Sequence, residues 1–328
     1  MRNYLLYALG LLLWMGGLGC GPDEAVAPVI EEGRTARVSL SLGMEPMTGT
    51  TTRALAPHIP EVENLINDVW VVQFNAQGVR IGMEYYPREG EAGLYIENFD
   101  VELIAAQNST VCLVANTDNA SQTWPNNFPA FRQMLLDIEA SNDLSQRDRI
   151  PMCGYWVGDV TDGMSLSVML CRMMTRINLV LNNATGVGLN GLTVELTYVP
   201  TEAYVFPATN QPTLPQNAYL ATPFTDTPFA TEGEGETDAG ETEEEEKEPD
   251  FADGGSLSLY YYMAPNICED GTYATTVFIT ATDEDGKERK WTTTLGTDAP
   301  GTAGRDFKLY ANNFYTFTLN LTGGGSSE

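Results

Sequence analysis

The sequence predicts an all-β protein: two β-sandwich domains and one short helix, preceded by an N-terminal signal segment. Three observations carry this prediction. Apolar and polar residues alternate with period two in one segment after another. Turn-forming residues are frequent, with 31 glycines and 18 prolines in 328 residues. Only one stretch shows a helical period, and short strands without α/β alternation pack as sandwiches. The length suffices for two ordinary domains or one large all-β domain.

The opening residues, MRNYLLYALGLLLWMGGLGC, set Arg2 ahead of an apolar run from Tyr4 to Met15. That is the shape of a secretory signal and is too short to span a bilayer. Its ending, GLGC, resembles a bacterial lipobox, in which the cysteine, here Cys20, is lipidated and becomes the new N-terminus; Gly17 stands where a leucine is more usual. A diacylglyceryl cysteine with an added N-acyl chain buries several tens of CH₂ groups at ~0.8 kcal/mol each, which makes a stable anchor.

ARVSLSL, residues 36–42, places Ala36, Val38, Leu40 and Leu42 on one face of a strand and Arg37, Ser39 and Ser41 on the other. A threonine-rich linker follows, and then NDVWVVQFNAQGVRI, whose strand from Val69 to Phe74 is apolar on both faces and so expects cover on two sides. VELIAAQNSTVCLVANT contains two strands around a polar turn. PAFRQMLLDIEAS reads as the helix, with Phe131, Met134, Leu135 and Ile138 on one face and Pro129 in its first turn. MSLSVMLCRMMTRINLVLNNATG is too long for one strand, and its pattern changes around Met173 to Thr175. One domain is expected to end there and pass almost directly into the next. LTVELTYVP, SLSLYYYMAP, a hairpin around Asp283-Glu284-Asp285-Gly286, and the closing NNFYTFTLNLTGGGSSE supply the strands of the second half.

The formal charge of −28, from 45 acidic and 17 basic residues, argues against nucleic acid, whose phosphates need clustered Lys and Arg. It also disfavours direct contact with anionic lipid heads, so the membrane is reached only through the lipid anchor. Much of the charge lies in residues 231–255, where Lys247 is the one positive side chain among a dozen carboxylates. That run reads as a solvated loop, and its carboxylates lack the alternating spacing of an EF-hand, so no metal is expected. After Cys20 the cysteines are Cys112, Cys153, Cys171 and Cys268; none forms a C-x-x-C pair, and free buried thiols and two disulfides are both open readings. The single histidine, His58, sits in the linker beside two prolines, and no phosphate loop, HExxH or Gly-x-Ser-x-Gly occurs. The expectation is a protein without cofactor and without catalysis. Tyr260, Tyr261, Tyr262, Tyr85, Tyr86, Trp124, Trp156 and Trp291 are candidate sugar-stacking side chains, although neighbours on a strand face opposite sides and core packing is the simpler role.

In TGTTTRALAP, residues 48–57, Arg53 stands alone in small and hydroxyl residues, as an arginine-specific extracellular protease requires. The alternating strand before it and the closing strand, with Tyr315, Phe317, Leu319 and Leu321 on one face, could each fill a sandwich edge. Burying Val38, Leu40 and Leu42 contributes ~1.5–3 kcal/mol per side chain. Loss of such a strand after cleavage would leave an open apolar edge, a template for a strand from another chain.

Here the sequence resembles the fimbrillins, the type V pilins, which are two-domain lipoproteins of Gram-negative cell surfaces. The resemblance lies in Cys20, in the alternating strand followed by TTTRA, in ENLINDVWVVQFNAQG, STVCLVANT and VMLCRMMTRINLVL, and in NNFYTFTLNLTG, taken in that order. It implies two transthyretin-like sandwiches, residues 54–173 and 174–328, behind a signal peptide 1–19 and a propeptide 20–53 with an exchangeable strand. It further implies lipidation at Cys20, cleavage after Arg53, and polymerisation with other pilus subunits by strand exchange that uses Val38, Leu40, Leu42, Phe317, Leu319 and Leu321. The location it implies is the outer membrane, cell surface and fimbrium, with host or bacterial surface ligands as further partners. Many stalk subunits of that family continue past the closing strand; here GGGSSE follows it, so tip, accessory and anchor roles stand beside the stalk role. The alternative from a different class is a surface glycan-binding lipoprotein that does not polymerise.

Overall fold

The computed structural model describes residues 30–50, 61–87, 96–142, 150–206, 214–229, 249–268, 271–296 and 306–323. The signal segment, Cys20, Arg53, His58 and residues 230–248 of the acidic run lie outside them.

The first half is a seven-stranded sheet in the order β4-β3-β6-β8-β9-β1-β5. Its strands are β1 (Thr35–Met44), β3 (Asp68–Phe74), β4 (Arg80–Pro87), β5 (Ile96–Ile104), β6 (Ala106–Ala115), β8 (Met152–Val160) and β9 (Ser165–Arg172). β8 and β9 register at only two pairs, Met152 with Arg172 and Cys153 with Cys171, and the sheet folds over at this corner into layers β4-β3-β6-β8 and β9-β1-β5. Gly154 follows at the crossing, where a Cβ would collide with the Met169 carbonyl oxygen, so the close approach requires glycine.

All seven residues of β3 are buried, and its two faces have different covers. Trp70 and Phe74 pack with Trp124, Phe128 and Phe131, the aromatic group around helix α1 (Phe128–Arg132). On the opposite face Gln73, fully buried, reaches the far layer: its amide donates to Ile104 O at 2.7 Å and accepts from Ile104 N at 2.8 Å. A side-chain amide therefore makes the two bonds of a missing ladder rung and ties β3 to β5. We expect Gln73→Leu to destabilise the protein by about 2–4 kcal/mol, because both Ile104 groups are left unpaired. Urea unfolding checks this, and an unchanged midpoint would rule out the rung.

The helix is shorter than its periodicity suggests. Asn127 caps it, its side-chain oxygen accepting from Ala130 N at 2.9 Å, and Pro129 lies in the first turn. Past Arg132 the chain becomes β7 (Leu135–Asp137), antiparallel to β12 (Glu202–Tyr204). Pairing with a strand from the later half overrides the local helical preference, and Ala203 and Val205 join the first core.

The second half packs the sheet β14-β10-β17-β2 on β13-β11-β15-β16. The first sheet consists of β2 (Thr48–Thr50), β10 (Thr175–Ala184), β14 (Ser256–Met263) and β17 (Asn313–Thr322). The second consists of β11 (Leu189–Thr197), β13 (Phe224–Asp226), β15 (Thr276–Asp283) and β16 (Glu288–Thr294). Ile177, Leu179 and Leu181 of β10 meet Val194, Leu196, Val277, Ile279 and Trp291 in one core. Only Met173 and Met174 separate β9 from β10, which explains the break in the apolar pattern there.

Candidate functional site

The N-terminal ribbon, residues 30–50, enters both halves of the molecule. In β1 the side chains of Ala36, Val38, Leu40 and Leu42 are all 0% exposed. The strand runs antiparallel to β5, from Thr35 opposite Ile104 to Leu42 opposite Ile96, and parallel to β9, from Ser39 opposite Ser165 to Met44 opposite Leu170. A bulge on β5 opposite Ser41 breaks the first register. Where the alternation suggested a sandwich edge, β1 is the middle strand of its layer, hydrogen-bonded on both sides. The period-two pattern reports which face is buried but not how many neighbours a strand has.

The closing strand is placed differently. β17 runs parallel to β10 on one side and to β2 on the other, where only Asn313 to Tyr315 pair with Thr48 to Thr50. Leu321 is buried, and Phe317 and Leu319 are half-buried against the second core. Val38, Leu40 and Leu42 thus belong to one sandwich and Phe317, Leu319 and Leu321 to the other.

Between β1 and β2 the ribbon crosses a buried polar cluster. Glu63 and Arg176, both fully buried, form an ion pair at 2.8 Å, and Tyr262 donates its hydroxyl to the same Glu63 oxygen at 2.5 Å. The Arg176 guanidinium also lies over the Phe314 ring, 5.3 Å from its centroid. Arg172 donates to Glu63 O at 3.1 Å, to Glu45 O at 3.0 Å and to Asn312 Oδ1 at 3.0 Å, and also bonds Asn64 Oδ1. Asn312, in the left-handed region at φ 54°, accepts from Thr48 N through its carbonyl and donates from its side chain to Pro46 O. Burial is the main force lowering the Arg172 pKa; Glu63 opposes it and Arg176 adds to it. Burial, then the Glu63 charge, pushes the Tyr262 phenol up and keeps it a donor. The chain leaves this cluster at Thr50 and re-enters it at Glu61–Asn64, so both ends of the segment containing Arg53 are fastened to the same group.

None of Glu63, Arg172, Arg176 or Asn312 was marked by the sequence reading. Arg176 carries a signal, a charge directly before the largely apolar run INLVL; Glu63 carries none.

Trp124 and Trp291 are buried, Trp156, Tyr85 and Tyr86 are half-buried, and of the tyrosine triplet only Tyr260 is exposed. Tyr261 donates to Asp226 at 2.9 Å, so the aromatic candidates mostly serve the cores. Cys112, Cys153 and Cys171 are in the reduced, thiol form in this structure. Among the described residues no group of three or more His, Cys, Asp or Glu could hold a metal ion, and no helix is long and apolar enough to cross a membrane.

Neither a family model nor a curated protein sequence matches the chain. Solved structures do. A candidate cell adhesion protein from Parabacteroides distasonis superposes with a TM-score of 0.55 at 16% identity, over 89% of each chain. The tip fimbrial protein Mfa3 from Porphyromonas gingivalis, C-terminally truncated, gives 0.53 at 14% identity, over 88% of this chain and 95% of that one. A fimbrilin, FimA, from Porphyromonas gingivalis gives 0.52 at 14% identity, over 90% and 92%. The chain has the fold of these fimbrial and adhesion proteins. That shared fold spans both sandwiches, since each superposition covers nearly nine-tenths of the chain or more.

Proposed function

We propose that this chain is a fimbrillin-like subunit of a surface fimbrium, non-catalytic, lipid-anchored at Cys20 on export and serving cell adhesion together with other pilus subunits. The observation that carries the reading is the seat of β1. A strand with four fully buried apolar side chains occupies the middle of a layer, and it lies upstream of an arginine in a threonine-rich stretch. Cleavage after Arg53 severs the ribbon from the body, and the ribbon is then held only by non-covalent contacts: the ladders and side chains of β1, the short β2 pairing and the bonds to the polar cluster. Its departure leaves a slot between β5 and β9 with unpaired backbone on both walls, which fits an apolar alternating strand from a neighbouring subunit. The fold shared with fimbrial proteins supports this reading at the level of architecture.

N-terminal sequencing of protein purified from the cell surface tests it. The processed subunit is expected to start at Ala54. An Arg53→Ala variant is expected to keep an acylated Cys20 and to stay monomeric. Normal filaments built by that variant would remove the cleavage step, and a wild-type chain that always starts at Cys20 would leave a tethered monomer.

A further inference from the structure

We propose that Cys153 and Cys171 close a disulfide across the β8–β9 corner. The two residues are directly opposite in an antiparallel pair, so their side chains leave the sheet on the same face. Either kind of antiparallel pair sets its Cα atoms about 4.5–5.5 Å apart, within the range of about 4.4–6.8 Å that a disulfide spans. The other thiols are placed worse. Cys112 faces Tyr155 across β6–β8, which makes it a diagonal neighbour of Cys153, and diagonal pairs stand about 7–8 Å apart. Cys268 is in the second half, its sulfur 3.9 Å from Phe307 O.

Closure is a thiol–disulfide exchange with an oxidised dithiol carrier of the export compartment. Cys171, the half-exposed member, loses its proton and attacks the carrier disulfide, releasing one carrier thiolate. Cys153 loses its proton and attacks the Cys171 sulfur, releasing the second. The carrier takes up two electrons and both protons, and the protein gains one S–S bond. The new bond fastens the two layers together at the fold-over where the ladder itself holds only two residue pairs.

The ribbon controls access to this step. Cys171 Sγ donates to Glu45 Oε2 at 2.8 Å, and Glu45 N bonds Leu170 O just beyond the end of β1. Burial, then the Glu45 hydrogen bond and charge, pushes the Cys171 thiol up to about 12, and burial pushes Cys153 up as well. Exchange in the seated, reduced protein is therefore slow. It is faster while the chain is folding, or whenever Glu45 is absent.

The experiment uses the full chain, refolded in a glutathione redox buffer, quenched with iodoacetamide in denaturant and digested with trypsin. Arg149 and Arg172 bracket both cysteines, so they remain on one peptide, 150–172. That peptide is expected unalkylated and lighter by two hydrogens than the dithiol form, with Cys112 and Cys268 alkylated. In Cys153→Ser, Cys171 is expected as an alkylated thiol or a glutathione adduct. Glu45→Ala is expected to speed oxidation of the folded, reduced chain several-fold. A doubly alkylated 150–172 peptide after refolding, or a bond from either residue to Cys112 or Cys268, overturns the proposal.

Discussion

Leu40→Asp is expected to unfold the first sandwich. The leucine is fully buried in the middle strand of its layer, with Phe99 of β5 opposite on one side and Leu166 of β9 on the other. The substitution forfeits ~1.5–3 kcal/mol of side-chain burial. It also sets a carboxylate in the core, at an effective cost of several kcal/mol. Together these approach the whole stability of a domain, about 5–15 kcal/mol. Arg37→Ala, on the exposed face of the same strand, is expected to stay within about 0.5 kcal/mol of the parent. Urea unfolding followed by near-UV circular dichroism separates the two. Equal midpoints for Leu40→Asp and the parent would mean that β1 is not part of the core in solution.

Truncating one member of the ion pair is the second large effect. Glu63→Ala leaves the fully buried Arg176 without its counter-charge, a loss expected at about 3–5 kcal/mol. Tyr262 loses its acceptor in the same step. Replacing both partners, as in Glu63→Met with Arg176→Met, removes the charges together and is expected to fall near the parent or above it. Chemical denaturation of Glu63→Met, Arg176→Met and the double variant gives the coupling. If the double variant falls by the sum of the two singles, the pair has no interaction of its own. The cluster also joins the ribbon, the Glu61–Asn64 turn and β17, so the single variants are expected to loosen the ribbon. Faster removal of residues N-terminal to Ala54 by an arginine-specific protease would register that loosening.

Much of the architecture was legible because period-two alternation is a local property. The buried face of β1, the two-sided burial of β3, the β15–β16 hairpin and the break at Met173-Met174 all follow from residues adjacent in sequence. Other features depend on partners far along the chain. The pattern from Leu135 to Ile138 suits a helix, but β12, more than sixty residues later, draws part of it into a ladder. β1 has the same alternation whether it sits at an edge or in the middle, and only the presence of both β5 and β9 decides. Glu63 and Arg176 are 113 residues apart and Glu63 and Tyr262 199, so no window of sequence contains the cluster. Gln73 is an ordinary polar residue in its own strand, and its role appears only once Ile104 arrives from β5.

The unequal neighbours of β1 carry a directional consequence. Antiparallel rungs come in alternating narrow and wide pairs, whereas parallel rungs are evenly spaced and slanted. A guest strand inserted backwards would face each wall with the wrong spacing, and the β5 bulge would stand opposite the wrong residue. Successive copies joined through that slot would therefore all point the same way, and the resulting thread would have a distinguishable front and back.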